Sequence, residues 1–204
     1  MEKFYFVTGI GTGVGKTIVS AVLVEALKAD YWKPVQSGSI EGTDTAFVRS
    51  LISNTVSKFH SESYLLREPL SPHAAAAKEN IDIHIDKIVK PKTKNSLIIE
   101  GAGGLMVPLN MHGNLMIDLI AVLGFEVILV SKNYLGSINH TLLSLELLKQ
   151  RGIHVKGIVF SGEPNLESES IIRKISCEKI LFHVPQMETV NKASIQKIAA
   201  TIKL

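Results

Sequence analysis

A glycine-rich loop near the start of the chain carries the residues best suited to chemistry. Gly9-Ile10-Gly11-Thr12-Gly13-Val14-Gly15-Lys16-Thr17 follows a short apolar segment and precedes a segment of helical composition. Glycines let the backbone wrap a phosphate with its N–H groups pointing inward, and the start of a helix adds positive potential. We predict that the stretch Gly13, Val14, Gly15, Lys16, Thr17 and Ile18 binds ATP as a co-substrate. Lys16 would contact the β- and γ-phosphates, and the Thr17 hydroxyl would bind Mg²⁺.

The spacing of this loop departs from the usual phosphate-loop pattern, which has a glycine five residues before its second glycine. That position is Ile10, and Gly9 lies one residue earlier. The loop is therefore either a long variant or one whose first turn uses Gly11. A glycine-rich turn that binds nothing is disfavoured, because Gly-Lys-Thr stands between a predicted strand and a predicted helix.

Two acidic residues follow predicted strands, and one lysine lies near the carboxyl end of a predicted strand. Glu100 follows Leu-Ile-Ile and precedes Gly101-Ala102-Gly103-Gly104, a position that suits a carboxylate holding Mg²⁺ beside ATP. A solvated glutamate at a strand end would look the same. Asp44 could simply cap a helix, and Lys33 could extend its ammonium to solvent. From the residues alone, these alternatives stay open.

Strand-like and helix-like segments alternate along the chain and would position these residues. Strands are predicted at 4–8, 31–36, 96–99, 126–130, 155–160 and 179–184. Helices are predicted at 17–29, 44–52, 115–123, 138–150, 167–175 and 193–202, and residues 81–89 form a further amphipathic segment. Runs of Val, Ile and Leu indicate strands buried on both faces, and intervening helices indicate parallel crossovers. We predict one domain over residues 1–204, an α/β fold with a doubly wound, mostly parallel sheet of the P-loop NTPase type. Ligands of such sheets bind beyond the carboxyl ends of the strands.

Composition argues against several classes of function. The formal net charge is +3 and the basic residues are dispersed, so no nucleic-acid partner is expected. Cys177 is the single cysteine, which excludes an intrachain disulfide and fits a reducing compartment. The apolar stretches stay short of the roughly 18 residues that span a bilayer, and no secretory signal is evident. We therefore expect a cytoplasmic protein without a membrane partner. The seven histidines lack metal-ligand spacing.

The ordered set of motifs resembles the dethiobiotin synthetase family. The motifs are Thr12, Gly15-Lys16-Thr17, Lys33-Pro34-Val35, Ser37-Gly38, Asp44, Ser71-Pro72-His73, Glu100 to Gly104, and Gly136-Ser137-Ile138-Asn139-His140. Each motif alone is weak to moderate, whereas their order over nearly the whole chain is specific. The resemblance implies a ligase of the biotin pathway that uses 7,8-diaminononanoate, CO₂ and Mg·ATP. It would form dethiobiotin, ADP and phosphate through a carbamate and a carbamic–phosphoric anhydride. The family's long phosphate loop would also explain the unusual spacing.

The resemblance also implies roles for individual residues. Lys16, Lys33 and Thr12 would be catalytic, and Thr17, Asp44 and Glu100 would hold the metal. Thr12, Lys33 and Ser37 would line the diamine site. The remaining nucleotide contacts would come from Gly101, Ala102, Gly103, Pro185, Gln186 and Met187. Residues Gly136, Ser137, Ile138 and Asn139 would grip the substrate carboxylate from a neighbouring subunit, which implies a homodimer. The chain departs from the family at Ser161-Gly162, where an Asn-Asp pair often lies near the adenine.

Three alternatives compete with this interpretation. A switch ATPase of the cell-division or plasmid-partition type would carry a second lysine early in the loop, where this chain has Gly11. Another ATP-dependent amidoligase or carboxylase could share the fold. The last helix, with Ile195, Ile198 and Ile202 on one face, could lie on a membrane surface, although packing on the sheet is the commoner use of such a stripe.

Overall fold

The chain folds around a parallel sheet of seven strands, and the computed structural model describes residues 2–204. The strands are β1 (Phe4–Gly9), β2 (Asp30–Trp32), β3 (Val35–Gln36), β4 (Phe59–His60), β5 (Tyr64–Leu65), β6 (Leu97–Gly104), β7 (Glu126–Lys132), β8 (Val155–Ser161) and β9 (Ile180–Val184). The main sheet has the order β4-β2-β6-β1-β7-β8-β9, and all of its neighbouring strands are parallel. Strands β3 and β5 form a separate parallel pair.

Helices cover both faces of this sheet. They are α1 (Lys16–Leu27), α2 (Asp44–Leu51), α3 (Pro72–Lys78), α4 (Met116–Leu123), α5 (Ser137–Gln150), α6 (Leu166–Ser176) and α7 (Lys192–Ala199). Helices α1, α2 and α7 bury side chains in one hydrophobic core, and α3 and α4 bury theirs in another. The doubly wound α/β sheet of the P-loop type predicted from the sequence is thereby confirmed.

The sequence of the central strand, β1, is apolar because the strand is buried on both faces. Side chains alternate between the two faces of a strand, so Tyr5 and Val7 enter one core while Phe6 enters the other. All three are at most 2% exposed. Each such side chain contributes about 1.5–3 kcal/mol through burial. A strand buried on both faces holds its carboxyl end, where the phosphate loop begins, in a fixed place.

The predicted strand 31–36 is wrong as a single element. The chain forms β2 and β3 instead, which belong to different sheets, with Lys33 and Pro34 between them. Pro34 has no N–H to donate to a ladder and restricts the residue before it. Its carbonyl accepts hydrogen bonds from the N–H groups of Ser63 and Tyr64. The break turns the chain at Lys33, toward the carboxyl end of β6.

The sequence pattern did not predict several short elements. Strands β4 and β5 have two residues each, and α3 is built largely of alanine, so none of them shows a hydrophobic period. The amphipathic stretch 81–89 contains only a 3₁₀ turn, Ile85–Lys87. Strand β6 continues past Glu100 to Gly104.

The last helix, α7, packs against the hydrophobic core that α1 also joins. Ile195 is fully buried, and Ile198 and Ile202 pack against the same core as α1. The preference for packing over a membrane-surface helix is confirmed. Within residues 2–204, no helix combines the length and the apolar character required to cross a bilayer.

Candidate active site

The phosphate loop joins β1 to α1 and is shaped by three glycines. Gly13 and Gly15 have φ angles of 72° and 96°, in the left-handed region that favours glycine. A Cβ on Gly9 would lie 2.6 Å from Val14 Cγ2, whereas one on Gly11 would meet nothing within 4 Å. Gly9 is therefore the sterically required first glycine, and the loop is the long variant.

Lys16 lies at the first turn of α1 with its ammonium turned back into the loop. Its Nζ donates a hydrogen bond to the Gly11 carbonyl at 2.8 Å, and the residue is 7% exposed. Burial lowers the pKa of Lys16 to about 8, and the charge of Glu100 opposes this change. The side chain is thus a buried cation without a carboxylate in direct contact, which suits an anionic ligand.

Lys33 and Glu100 form the centre of the site. Lys33 Nζ lies 2.9 Å from Glu100 Oε1 and 2.8 Å from Asp44 Oδ2, and Thr17 donates its hydroxyl hydrogen to Glu100 Oε1 at 2.8 Å. Burial alone would lower the pKa of Lys33, but the charges of Glu100 and Asp44 outweigh it and raise that pKa. Lys33 and Glu100 are 4% and 1% exposed, so neither the solvent-directed lysine nor the solvated glutamate describes them.

Asp44 is not the cap of α2. Thr43 takes that position, and its side chain accepts a hydrogen bond from the Ala46 N–H at 3.1 Å. The Asp44 N–H donates to Gln36 Oε1 at 2.9 Å. The Asp44 carboxylate is therefore free of the capping role and contacts Lys33. Gln36 is a positioning residue that sequence reasoning missed.

Tyr31 is a second residue that sequence reasoning missed. Its hydroxyl donates to Glu100 Oε2 at 2.9 Å. Burial, followed by the charge of Glu100, raises the pKa of Tyr31 well above its usual value, so it remains a donor. Tyr31 and Lys33 both contact Glu100, and their spacing of two within the predicted strand 31–36 was a signal available in the sequence.

These side chains line one cleft of about 630 Å³ at the carboxyl ends of β1, β3 and β6. Its lining includes Thr12, Gly13, Gly15, Lys16, Thr17, Ile18, Lys33, Gln36, Ser37, Asp44, Glu100, Ala102 and Gly103. Pro69 to Pro72, at the start of α3, close one side. Among residues 2–204, the buried Ser37 Oγ finds no hydrogen-bond partner. An unpaired buried hydroxyl is costly, and a ligand in the cleft would satisfy it.

The donor set fits Mg²⁺. Thr17, Asp44 and Glu100 offer oxygen atoms, the ligand type that Mg²⁺ prefers, and Mg²⁺ usually completes its shell with substrate phosphates and water. In the part of the chain that the structure describes, no three His, Cys, Asp or Glu side chains could hold a metal by themselves. The residues present therefore suit a metal that binds together with a nucleotide.

Comparisons with known proteins agree with this geometry. A family model described as an AAA domain matches residues 3–194. The ATP-dependent dethiobiotin synthetase of Cytophaga hutchinsonii is 51% identical over 201 residues, which are 98% of this chain and 97% of that protein. The synthetase of the same name from Christiangramia forsetii is 49% identical, over 98% of this chain and 95% of its own. The chain belongs to the dethiobiotin synthetase family. The prediction of an ATP-dependent ligase is thereby confirmed.

Solved structures outside the family share the fold at low identity. The cell-division ATPase MinD of Pyrococcus furiosus matches with a TM-score of 0.61 and 16% identity, over 98% of both chains. MinD of Pyrococcus horikoshii, complexed with Mg-ADP, matches with a TM-score of 0.55 and 14% identity, over 98% of this chain and 95% of that one. Such likeness shows the fold alone.

A smaller pocket of about 150 Å³ adjoins the phosphate loop at the ends of β7, β8 and β9. Pro185, Gln186 and Met187 line it together with Gly13, Val14, Gly15 and Ile18. It lies where the family resemblance implies the base of the nucleotide. Ser161 and Gly162, the departure from the family pattern, also line it, and so does Lys132.

The segment 136–139 lies at the start of α5 and outside the lining of the large cleft. Gly136 is the N-cap of α5, with φ 102°, and Ser137 is 2% exposed. The Ser137 hydroxyl accepts from the Tyr134 N–H at 3.3 Å and so belongs to the turn. The first N–H groups of a helix lack intrahelical partners and favour a carboxylate. Gly136 and Asn139 are the exposed residues of this helix start, whereas the Ser137 N–H donates to the Tyr134 carbonyl.

Proposed function

We propose that the chain converts 7,8-diaminononanoate, CO₂ and Mg·ATP into dethiobiotin, ADP and phosphate. The observation that carries the proposal is the buried ammonium of Lys33, held between Glu100 and Asp44 beside Thr17 and the phosphate loop. A fixed cation at this place can neutralise charge on a carbamate and on a transferring phosphoryl group at once. Family membership at about half identity supports the same reaction.

The first step would join CO₂ to one amine of the diamine. The amine nitrogen attacks the carbon, a proton leaves the nitrogen, and an anionic carbamate forms. Thr12, Lys33 and Ser37 line the cleft and would hold the diamine. Lys33 would stabilise the carbamate, and the otherwise unpaired Ser37 hydroxyl would gain a partner.

The next steps would transfer the phosphoryl group and close the ring. A carbamate oxygen attacks the γ-phosphorus and ADP leaves; the second amine then attacks the carbonyl carbon, and phosphate leaves. Lys16 would exchange the Gly11 carbonyl for phosphate oxygens, joined by the loop N–H groups around Gly13 and Gly15. Bound Mg²⁺, held by Thr17, Asp44 and Glu100, would neutralise phosphate charge. Alignment of the two reactants supplies roughly 7–11 kcal/mol of the barrier reduction.

The proposed enzyme would be a homodimer with the substrate carboxylate held by the partner. Residues 136–139 do not line the cleft of their own chain, although their helix end suits a carboxylate. Leu135, directly before this segment, is exposed, and so are Leu143 and Met106, which line one pocket together. A second apolar pocket connects Thr12 of the phosphate loop with Leu143 of α5. This surface would form the contact between subunits.

The deciding experiment is a product assay. Labelled bicarbonate, 7,8-diaminononanoate and Mg·ATP are incubated with the protein, and labelled dethiobiotin is identified by mass. Phosphate release is followed with and without the diamine. We expect labelled dethiobiotin and coupled phosphate release only when diamine and nucleotide are both present. ATP hydrolysis that ignores the diamine and yields no labelled product would overturn the proposal in favour of a switch ATPase.

A further inference from the structure

The pocket proposed for the base offers an unusual set of polar groups. Its polar side chains are Lys132 at the end of β7, Ser161 at the end of β8, and Gln186 after β9. The described residues that line it include no Asp or Glu. A base that enters this pocket therefore meets a cation, one amide and at most one hydroxyl.

The Ser161 hydroxyl lies against the phosphate loop, since a Cβ on Gly15 would overlap its Oγ. The N–H of Gly162 is engaged, because it donates to the Val184 carbonyl at 2.9 Å. Lys132 and Gln186 are the two long polar side chains that line the pocket.

The position of Lys132 directs its side chain along this pocket. Lys132 pairs with Ser161 in the parallel register of β7 and β8. A Cβ on Gly162 would lie 3.5 Å from Lys132 Cε and 3.9 Å from Gln186 Oε1. Gly162 has φ 91°, and its missing side chain leaves the space beside the lysine stem open. Lys132 therefore lines the pocket beside a residue that contributes no side chain.

We propose that Lys132 makes the base site accept purines with a carbonyl at position 6. A lysine ammonium has three donors and no acceptor, so it pairs with a carbonyl oxygen and with N7 but not with the amino group of adenine. Gln186 can turn its amide to satisfy either group. The site would therefore use inosine and guanosine triphosphates alongside ATP. This inference rests on the proposed function for turnover, but it applies to nucleotide binding by itself.

Inosine and adenosine nucleotides differ at position 6 in the group that Lys132 would contact, which makes them the sharpest probes. Dissociation constants of Mg·IDP and Mg·ADP are measured by calorimetry on the full chain, and kcat/KM for ITP and ATP is measured with the diamine. The variants are Lys132→Met, which keeps the stem but removes the charge, Lys132→Arg, and Lys174→Met on α6 as a control outside the pocket.

We expect the wild type to bind IDP within about tenfold of ADP, and Lys132→Met to lower the relative affinity for IDP about tenfold or more. Lys132→Arg should restore the ratio, and Lys174→Met should leave it unchanged. The inference is overturned if the wild type prefers ADP by more than about a hundredfold, or if Lys132→Met leaves the ratio unchanged. Equal weakening of both diphosphates would also overturn it, because the lysine would then contact a group that both nucleotides share, such as N7 or the phosphates.

The two proposals can fail separately. If no nucleotide supports dethiobiotin formation while Lys132→Met still alters the ratio of IDP to ADP affinity, the proposed function fails and the base preference stands. If dethiobiotin forms with ATP but the ratio does not respond to Lys132, the base preference fails alone.

Discussion

At the scale of single residues, the site depends on charges that are buried together. Lys33 and Glu100 are almost inaccessible, so each needs the other to remain charged away from water. Removing one partner of a buried ion pair typically costs about 3–5 kcal/mol, because the other charge is left uncompensated. The cluster holds Lys33 as a cation in the cleft, in the place where the proposed reaction needs one.

The first prediction concerns Lys33. Lys33→Gln should lower kcat by about 10²-fold or more, since it removes the cation that would stabilise the carbamate and the transferring phosphoryl. Tyr31→Phe is the matched control, because it removes one hydrogen bond to Glu100 and leaves all charges in place. It should retain most of kcat. Steady-state kinetics, with thermal unfolding to report stability, separate the two effects. Near-normal turnover in Lys33→Gln would remove the lysine from the mechanism.

At the scale of elements, glycines in the phosphate loop and in β6 allow the ends of β6 and β8 to lie close to the loop. A Cβ on Gly104 would lie 3.4 Å from the Gly9 carbonyl oxygen, and Ser161 at the end of β8 fills the space beside Gly15. The strand ends therefore form the outer wall of the loop. The loop's shape is maintained by packing as well as by its own backbone preferences.

The second prediction tests this packing at Gly15. Gly15→Ala should weaken Mg·ADP binding by more than about tenfold, because an L-residue at positive φ is strained by about 1–2 kcal/mol and its Cβ overlaps Ser161. Adding Ser161→Gly should recover part of the affinity, since it removes the overlap but not the backbone strain. Gly11→Ala, at a position with open space, should weaken binding less. Calorimetric titration of all four proteins checks the order; equal losses at Gly11 and Gly15 would contradict it.

Much of the site could be predicted because its residues follow long, strongly apolar strands. The runs that became β1, β6 and β7 are buried on both faces, so their period and their ends were visible in the sequence. Gly-Lys-Thr after β1 and Glu100 in β6 then had to meet at the carboxyl edge of the sheet. The structure places Thr17 and Glu100 in hydrogen-bond contact there.

The rest depends on contacts between distant segments that no local pattern reveals. Pro34 ends the ladder of β2, yet it is the carbonyl of Pro34, bonded to Ser63 and Tyr64, that starts the second small sheet. Whether Asp44 capped its helix was undecided in the sequence, because Thr43 and Asp44 are both good caps. Thr43 caps the helix, and the Asp44 carboxylate instead contacts Lys33, which lies eleven positions earlier in the chain.

A third prediction concerns the amino ends of the strands, opposite the cleft, where Asp30 begins β2. Its fully buried carboxylate accepts hydrogen bonds from Lys58 N–H and Thr93 Oγ1 and contacts His60 and Asn95. Burial alone would raise the pKa of Asp30, but these partners outweigh it and lower the pKa. An acid with a depressed folded-state pKa stabilises the fold above its unfolded pKa, about 3.9 here, and loses that contribution as pH falls through its folded value.

Asp30→Asn should therefore lower the free energy of unfolding by about 1–3 kcal/mol at pH 7. The difference from wild type should shrink as the pH falls below about 4. Urea unfolding at pH 7, 5, 4 and 3 measures it, with the exposed Asp86→Asn as the control. A difference that stays constant over this range would show that the charge of Asp30 does not contribute.

At the scale of the whole molecule, the cleft and the start of α5 both lie at the carboxyl edge of the sheet, but none of residues 136–139 lines the cleft of its own chain. The cleft is lined from β1, β3 and β6, whereas α5 follows β7. Leu135 and Leu143, both largely exposed, flank the segment 136–139. A two-fold dimer would cover these side chains and bring the helix start of each subunit to the cleft of the other.

The last prediction is that two inactive variants restore each other. Asn139→Asp places a negative charge at the proposed carboxylate site, and Lys16→Ala removes the phosphate lysine. If each site combines the cleft of one chain with α5 of its partner, a mixed dimer contains one intact site. Random reassortment of equal amounts should then recover about one quarter of wild-type activity.

The control mixes Lys16→Ala with Lys33→Gln. Both residues line the same cleft, so every site in the mixed dimer keeps one defect and no recovery is expected. Size-exclusion chromatography confirms that the variants assemble to the same extent as wild type. Activity equal to the sum of the separate Asn139→Asp and Lys16→Ala preparations would mean that one chain supplies the complete site. A shared active site would then not explain the exposed apolar side chains of α5.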